Sequence, residues 1–424
     1  MTTYKPRIAD RLLQEKLSYI GSVLVEGPKA CGKSTTAAHH ARSIVYMDDP
    51  ALMEQNIMYA QSNVHRLLQG DTPRLIDEWQ IALNLWDAVR FTVDQRGEAG
   101  QFILTGSAVP ADLSQAHHTG TGRIARLRMR PMSLWESGDS TGDVSLASLF
   151  ASSDVDGCCN HDLETMAYLV CRGGWPMAVN QSPNPMAVRH VQDYIKSVCE
   201  SDVCRVDGVQ RNPDRVARIL RSLARNICQP TPISTIVSDI SANEVSKLSE
   251  QTVASYITAL KQIFVIEDMP AWNPNLRSKS AIRTSDTRHF VDPSVATAAL
   301  ALSPNDLICD LKSFGFFFEE LCVRDLRVYA DALGGSVYHF RDRNGLECDA
   351  VVHLPNGQYG LVEIKLGGNK LIHEGVQTLN LLAGKIDTDK MKAPAFKMIL
   401  TAIGKYAVCR EDGICIVPVG CLKD

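Results

Sequence analysis

Three short apolar runs mark the first 108 residues, and each ends in polar side chains: Ser22 to Glu26 (SVLVE), Leu75-Ile76 within PRLIDEWQ, and Phe102 to Leu104 within QFILTGSA. Runs this short with no alternation read as strands buried on both faces, and the stretches between them are helix-compatible. Strands alternating with helices predict a parallel α/β sheet whose polar strand ends gather at one edge, where ligands of such sheets bind. Further on, DRVARILRSLARNI (214–227) places Val216, Ile219, Leu220, Leu223 and Ile227 on one helical face, with Arg218, Arg221 and Arg225 opposite and Arg215 at the margin. PISTIVSDI and SEQTVASYITALKQIFVI follow as two amphipathic helices, the second burying Val253, Tyr256, Ile257, Leu260 and Phe264. The strand-like segments IFVIEDMPAW and RHFVD come next, and together these elements predict a winged helix-turn-helix. In the last quarter, GLECDAVVH (345–353) and QYGLVEIK (358–365) flank LPNG, whose Asn356-Gly357 is a strong hairpin signal. A helix over FFFEELCVRDL precedes them, with Phe316 to Phe318 turned to the core.

The chain's 424 residues suggest two to four domains at roughly 100–200 residues each. The expected spans are 1–145, 146–300 and 301–424, with GDSTGDVSLASLFASSDVDGCCN after Asp139 read as a loop or linker. Hydrophobic residues at 45% and charged residues at 22% argue against disorder. Forty-four basic against 48 acidic side chains leave a formal charge of -4, so any nucleic-acid surface must be local. No run approaches the roughly 18 apolar residues of a membrane span, and the N-terminus is polar. The expectation is a cytoplasmic chain with no membrane partner. The 13 cysteines contain no C-x-x-C pair and are expected to be free thiols packed in the core. His39-His40 and His117-His118 are adjacent rather than four apart, which does not put two imidazoles on one helix face.

Chemistry enters with the residues between the first run and TTAAHHARS. Gly27, Pro28, Lys29, Ala30, Cys31, Gly32, Lys33 and Ser34 form G-x-x-x-x-G-K-[ST], with Thr35 following. The glycines let the backbone wrap until its N–H groups face phosphates at a helix N-terminus whose dipole favours anions. Lys33 is then expected on the β and γ phosphates and the Ser34 hydroxyl on magnesium. Asp77, ending the second run, is the expected magnesium-side carboxylate, and Glu78 the general base that polarises water. Thr105 and Ser107, ending a strand placed between the other two, would touch the γ-phosphate or the water. Each of these is weak alone; their order behind a phosphate loop gives them weight.

With PRIAD, EGPKACGKS, LIDEWQ, ILTGS, GTGRIARLRMRPMSL, ESGDS and RGGWP in view, the chain resembles prokaryotic AAA-superfamily ATP-binding proteins that carry a C-terminal domain of unknown function. The resemblance spans essentially the whole chain. It implies ATP rather than GTP, makes Thr105-Gly106-Ser107 the sensor strand, and offers Arg123 as a trans-acting or sensor arginine at the nucleotide. Arg126, Arg128 and Arg130 stand near it, and the alternative is a strand that exposes its charges on alternate sides. An arginine acting in trans would require a homo-oligomer.

Folding the C-terminal hairpin about Asn356-Gly357 lays Asp349 almost opposite Glu363 and points Glu363 and Lys365 to one face. Two carboxylates beside a lysine, with Glu319 added from the preceding helix, make a hard-oxygen site for magnesium and a phosphodiester substrate. Glu347, two residues before Asp349, shares its face and competes for the ligand role. This pattern is similar to the restriction-endonuclease-like nuclease fold; the alternative is an exposed hairpin with surface salt pairs. The exposed face of the second winged-helix helix (Glu250, Gln251, Ser255, Thr258, Lys261, Gln262) is poor in arginine, so a structural or interaction role is weighed there ahead of base reading. The expected function is a magnesium-dependent ATPase driving or licensing a C-terminal domain that acts on nucleic acid, with DNA as partner through the middle and C-terminal spans. The alternatives are an ATP-gated switch that holds a partner without cutting it and, more weakly, a kinase.

Overall fold

The computed structural model describes residues 4–108, 119–152, 155–241, 248–273 and 285–424. Two compact units result, one of Met1–Pro131, Glu200–Arg211 and Ile257–Val265, the other of Met132–Cys199, Asn212–Tyr256 and Ile266–Asp424. The main span of the first unit thus closes at Pro131 rather than near 145.

In the first unit β1 (Ser22–Glu26), β2 (Ser43–Tyr46), β3 (Arg74–Asp77), β4 (Phe102–Gly106) and β5 (Ile124–Arg128) form one sheet in the order β2-β3-β4-β1-β5. Every pairing is parallel. The class is α/β, with helices Ile8–Tyr19, Lys33–His40 and Asn84–Arg96 flanking the sheet. Strands β1, β3 and β4 are buried at every position, as unbroken apolar runs require. Leu24, Ile76, Phe102 and Leu104 pack with Trp79, Trp86 and Val89 to make the core.

The second unit begins with strands that the composition had suggested were a linker. Val144–Ser145 (β6) pairs in parallel with the last strand, and Gly157–Cys158 (β7) joins the edge of a large sheet. Two residues are too few to show any periodicity, so pairing with distant partners decides their structure. Helices Leu163–Arg172, Pro213–Arg225 and Ile233–Ser241 follow, and Pro213–Arg225 buries Val216, Ile219, Leu220 and Leu223 as its stripe predicts. Next come helix Glu250–Gln262, which the unit boundary divides after Tyr256, and an antiparallel ribbon of β8 (Ile266–Met269) and β9 (Thr287–Phe290).

The large sheet contains β10 (Ser336–Arg341), β11 (Glu347–His353), β12 (Tyr359–Lys365), β13 (Phe396–Thr401), β14 (Tyr406–Cys409) and β15 (Ile414–Pro418), in the order β10-β11-β12-β13-β15-β14-β7. Strand β16 (Leu422–Lys423) is the partner of β6. The hairpin β11–β12 is antiparallel, while β12–β13 and β13–β15 are parallel. Helix Asn369–Lys385 sets Val376, Leu379 and Leu382 on Val351, Leu361 and Ile399, and the long helix Leu311–Ala332 crosses β10, β11 and β12. Cys409 stands opposite Cys415 across β14–β15 and the two form a disulfide, which corrects the expectation of thiols throughout. The other eleven cysteines form no disulfide. No helix among the described residues is long and apolar enough to cross a membrane.

Candidate functional site

The phosphate loop runs from the end of β1 into helix Lys33–His40, with Ala30 and Gly32 at positive φ (62° and 104°). Gly27, at φ 157°, cannot be another residue without rearrangement, because a Cβ there would lie 2.1 Å from the Met129 carbonyl oxygen. Cys31 is buried behind the loop with its Sγ 3.6 Å from the same oxygen. Lys33 is buried and donates to the Pro28 carbonyl at 2.8 Å, Ser34 is half-buried, and Lys29 and Thr35 are exposed. Lys29 pairs with Asp202 at 2.5 Å.

Strand β4 lies between β1 and β3, which brings the ends of the three runs together. Thr105 donates its hydroxyl to Asp77 Oδ1 and accepts the Glu78 N–H at 3.3 Å. Ser107 donates to Glu78 Oε2 at 3.4 Å, and Gln80 donates to the same oxygen. Glu78 itself sits at φ 54°, a left-handed conformation at a strand end. Burial raises its carboxyl above the ordinary range and Asp77 adds to this, while the Lys33 ammonium pulls it back.

Arg123 is not brought to this edge. It precedes β5, beside Ser22 at the start of β1, and pairs with Asp94 at 2.6 Å. The five residues of β1, about 17 Å of strand at 3.3 Å each, separate it from the loop of its own chain. Within one chain Arg123 thus stands apart from the loop. Arg126 and Arg128, farther along β5, reach Glu26 at 2.8 and 3.7 Å. Arg7, within PRIAD, carries no local signal of a role at the site, yet it is buried and donates to the Cys31 and Arg130 carbonyls at 2.9 and 2.8 Å, bracing the loop from behind. His40 pairs with Asp10 at 2.8 Å and His39 stacks on Tyr4; His117-His118 lie outside the described residues.

The C-terminal constellation assembles on β11, β12 and helix Leu311–Ala332. The register Ala350↔Val362 sets Asp349 opposite Glu363, as the Asn356-Gly357 turn predicts. Asp349 Oδ2 accepts the Ile364 N–H at 2.7 Å. Lys365 stands between the carboxylates, 3.0 Å from Asp349 and 2.7 Å from Glu363. A cavity of about 40 Å³ is lined by Glu319, Glu347, Asp349, Cys228 and Thr287, with Glu347 paired to Arg341 at its exposed rim. Burial, then the charge of Asp349, pushes Glu363 up to about 8 and raises Glu319 well above the carboxylate range. Burial lowers the Lys365 ammonium, but Asp349 and Glu363 outweigh it and hold the charge. With no ion, burial and mutual repulsion favour the protonated forms of Glu319 and Glu363, and a divalent cation would favour their charged forms.

Two further motifs meet in the second unit: Arg172 of RGGWP is buried and donates to Asp139 of ESGDS at 2.8 Å and to the Ser182 hydroxyl at 3.2 Å. On helix Pro213–Arg225, Arg225 pairs with Asp239 at 2.8 Å and Arg221 donates to the Ala299 carbonyl at 3.3 Å.

A family model described as an AAA domain matches residues 21–137. Two others, described as domains of unknown function (DUF8612 and DUF4143), match residues 163–306 and 314–422. The chain is 22% identical over 365 residues to the uncharacterized protein Rv2008c of Mycobacterium tuberculosis and to the uncharacterized protein Mb2031c of Mycobacterium bovis, covering 85% of this chain and 73% of each relative. Among solved structures, a point variant of RuvB from Thermotoga maritima is similar at 16% identity and a TM-score of 0.27, over 62% of this chain and 87% of that one.

Proposed function

We propose that the first unit hydrolyses ATP with magnesium, and that this drives or licenses metal-dependent phosphodiester chemistry in the second. The AAA-domain match over residues 21–137 supports nucleotide-dependent ATPase activity. One observation carries the site reading: the order β3-β4-β1 gathers Asp77, Glu78, Thr105 and Ser107 at the edge where the loop of Lys33 begins its helix. The loop suits a phosphate chain, since Ala30 and Gly32 turn it through left-handed backbone into the N-terminus of helix Lys33–His40, where the dipole favours anions. Ser34 and Asp77 would hold magnesium, which supplies neutralisation of charge on the phosphate oxygens. Lys33 binds the β and γ phosphates, Thr105 orients Asp77 through its hydroxyl, and Glu78 aligns water and takes its proton. Arg123 lies at the opposite end of β1 from its own loop, so an action on nucleotide would require a second copy and a homo-oligomer.

In the second unit Asp349, Glu363 and Glu319 would hold the ion, and Lys365, kept as the ammonium by its two carboxylate partners, would orient water. The antiparallel hairpin running into parallel strands, with a helix carrying Glu319 laid across it, supports a restriction-endonuclease-like reading. The helices Pro213–Arg225, Ile233–Ser241 and Glu250–Gln262 before the β8–β9 ribbon support a winged helix. Phosphate contact by Arg221 or Arg225 would compete with the bonds each makes to its own chain.

Lys33→Ala is expected to lower ATP turnover by about 100-fold or more, and turnover at the parent rate would refute the first half. Asp349→Ala is expected to abolish cleavage of DNA or RNA in magnesium or manganese while ATP turnover persists; unchanged cleavage would refute the second. A second reading, an ATP-gated switch holding a partner uncut, is favoured by Lys365 bridging both carboxylates. It predicts no cleavage on any substrate and an ATP-dependent change in size on a column.

A further inference from the structure

Beside the carboxylate site, but outside it, Cys228, His289 and Glu320 converge. Glu320 follows Glu319 on helix Leu311–Ala332, His289 lies on β9, and Cys228 sits after helix Pro213–Arg225 at φ 59°, a left-handed conformation for a residue with a Cβ. His289 Nδ1 is 2.9 Å from Glu320 Oε2, Cys228 Sγ is 3.4 Å from the same oxygen, and Sγ and Nδ1 are 3.8 Å apart. Among the described residues this is the one trio of histidine, cysteine and acidic side chains whose ligand atoms lie within 4.8 Å of one another.

A nucleophilic triad would use both ring nitrogens, one toward the thiol and one toward the acid. Here thiol and acid meet the same nitrogen, and Nε2 instead faces the Thr287 hydroxyl at 3.1 Å. One ring nitrogen held by a polar partner while the other meets the remaining ligands is the arrangement of a metal-bound histidine. Tetrahedral zinc with nitrogen and oxygen at about 2.0–2.2 Å and sulfur at about 2.3 Å sets its ligand atoms roughly 3.3–3.6 Å apart. The three observed separations bracket that spacing. A second observation points the same way. Glu320 is fully buried, and its Oε1 has no hydrogen-bond partner, a state that an apolar interior penalises and a cation relieves. The cavity of about 40 Å³ reaches Cys228 and Thr287, which leaves room for a water as fourth ligand.

We propose that Cys228, His289 and Glu320 bind a zinc-class divalent ion, with Thr287 orienting the imidazole and the fourth position open to the cavity that Glu319 and Asp349 also line. The mixed sulfur, nitrogen and oxygen donors select zinc over magnesium, which prefers oxygen alone. The site stands whether or not the neighbouring carboxylates cut anything.

The test uses the purified full chain, stripped with chelator, reloaded with zinc alone, desalted and measured for bound metal. About one zinc per chain should remain, and it should be lost in Cys228→Ala and in His289→Ala but retained in Asp349→Ala. Thr287→Val should weaken zinc binding by about 10–100-fold. Loading the parent chain with cobalt gives a readout that needs no variant: a thiolate-to-cobalt charge-transfer absorption is expected. No retained zinc, no such absorption, or full zinc in a folded Cys228→Ala chain would each overturn the proposal.

Discussion

Glu78 holds a backbone conformation that costs a residue with a Cβ about 1 kcal/mol or more. Its N–H on Thr105 and its carboxylate beside Ser107 are what that conformation secures. Glu78→Gln keeps the shape and removes the base, so ATP turnover should fall by about 10²–10⁴-fold with ATP affinity retained. Turnover assays beside equilibrium nucleotide binding check this, and an unchanged rate would remove Glu78 from the chemistry. Lys33, Asp77, Glu78, Thr105 and Ser107 were legible in the sequence because each ends or follows an apolar run, a local signal. Arg7 was not, since the carbonyls it braces belong to residues 24 and 123 positions away. Cys228, His289 and Glu320 likewise sit 61 and 92 positions apart, so nothing in their immediate neighbours marks them.

At the level of elements, the hairpin β11–β12 was readable because a short turn fixes register, and register fixes which carboxylates face each other. β6 and β7 were unreadable because a two-residue strand exists only through its partner. The meeting of ESGDS and RGGWP was visible as two motifs but not as one contact. Burial raises the Asp139 carboxyl, but the Arg172 guanidinium and the Ser137 hydroxyl more than offset it and leave it below the ordinary value. A depressed carboxyl adds stability that is full above its unfolded value, about 3.9, and is lost as pH falls through the folded one. Asp139→Asn should therefore destabilise the fold at pH 7 by about 2–3 kcal/mol, with the difference narrowing below about pH 4. Denaturant titrations of both chains at pH 7 and at acid pH measure it, and a gap that widens toward acid would contradict the assignment.

Over the whole molecule, each unit buries its own apolar cluster, one around Trp79 and Trp86 and the other around Val351 and Leu361. Calorimetry should resolve two transitions. Magnesium with ATP at about 100 times its dissociation constant should raise the nucleotide-binding one by about 5–11 °C. Lys33→Ala should lose that shift, and equal movement of both transitions would argue against independent cores. The α/β class was legible from alternating runs and helices, whereas the extent of the second unit was not, because its sheet recruits residues from far upstream. Ser145 bonds to a carbonyl 279 residues later in the chain. At about 5–20 residues per second, a ribosome would take roughly 14–56 s to deliver the partner of β6. Through that interval a nascent edge waits unpaired, so the rate of translation, and any chaperone that shields the edge, bears on how much of this chain reaches its native state.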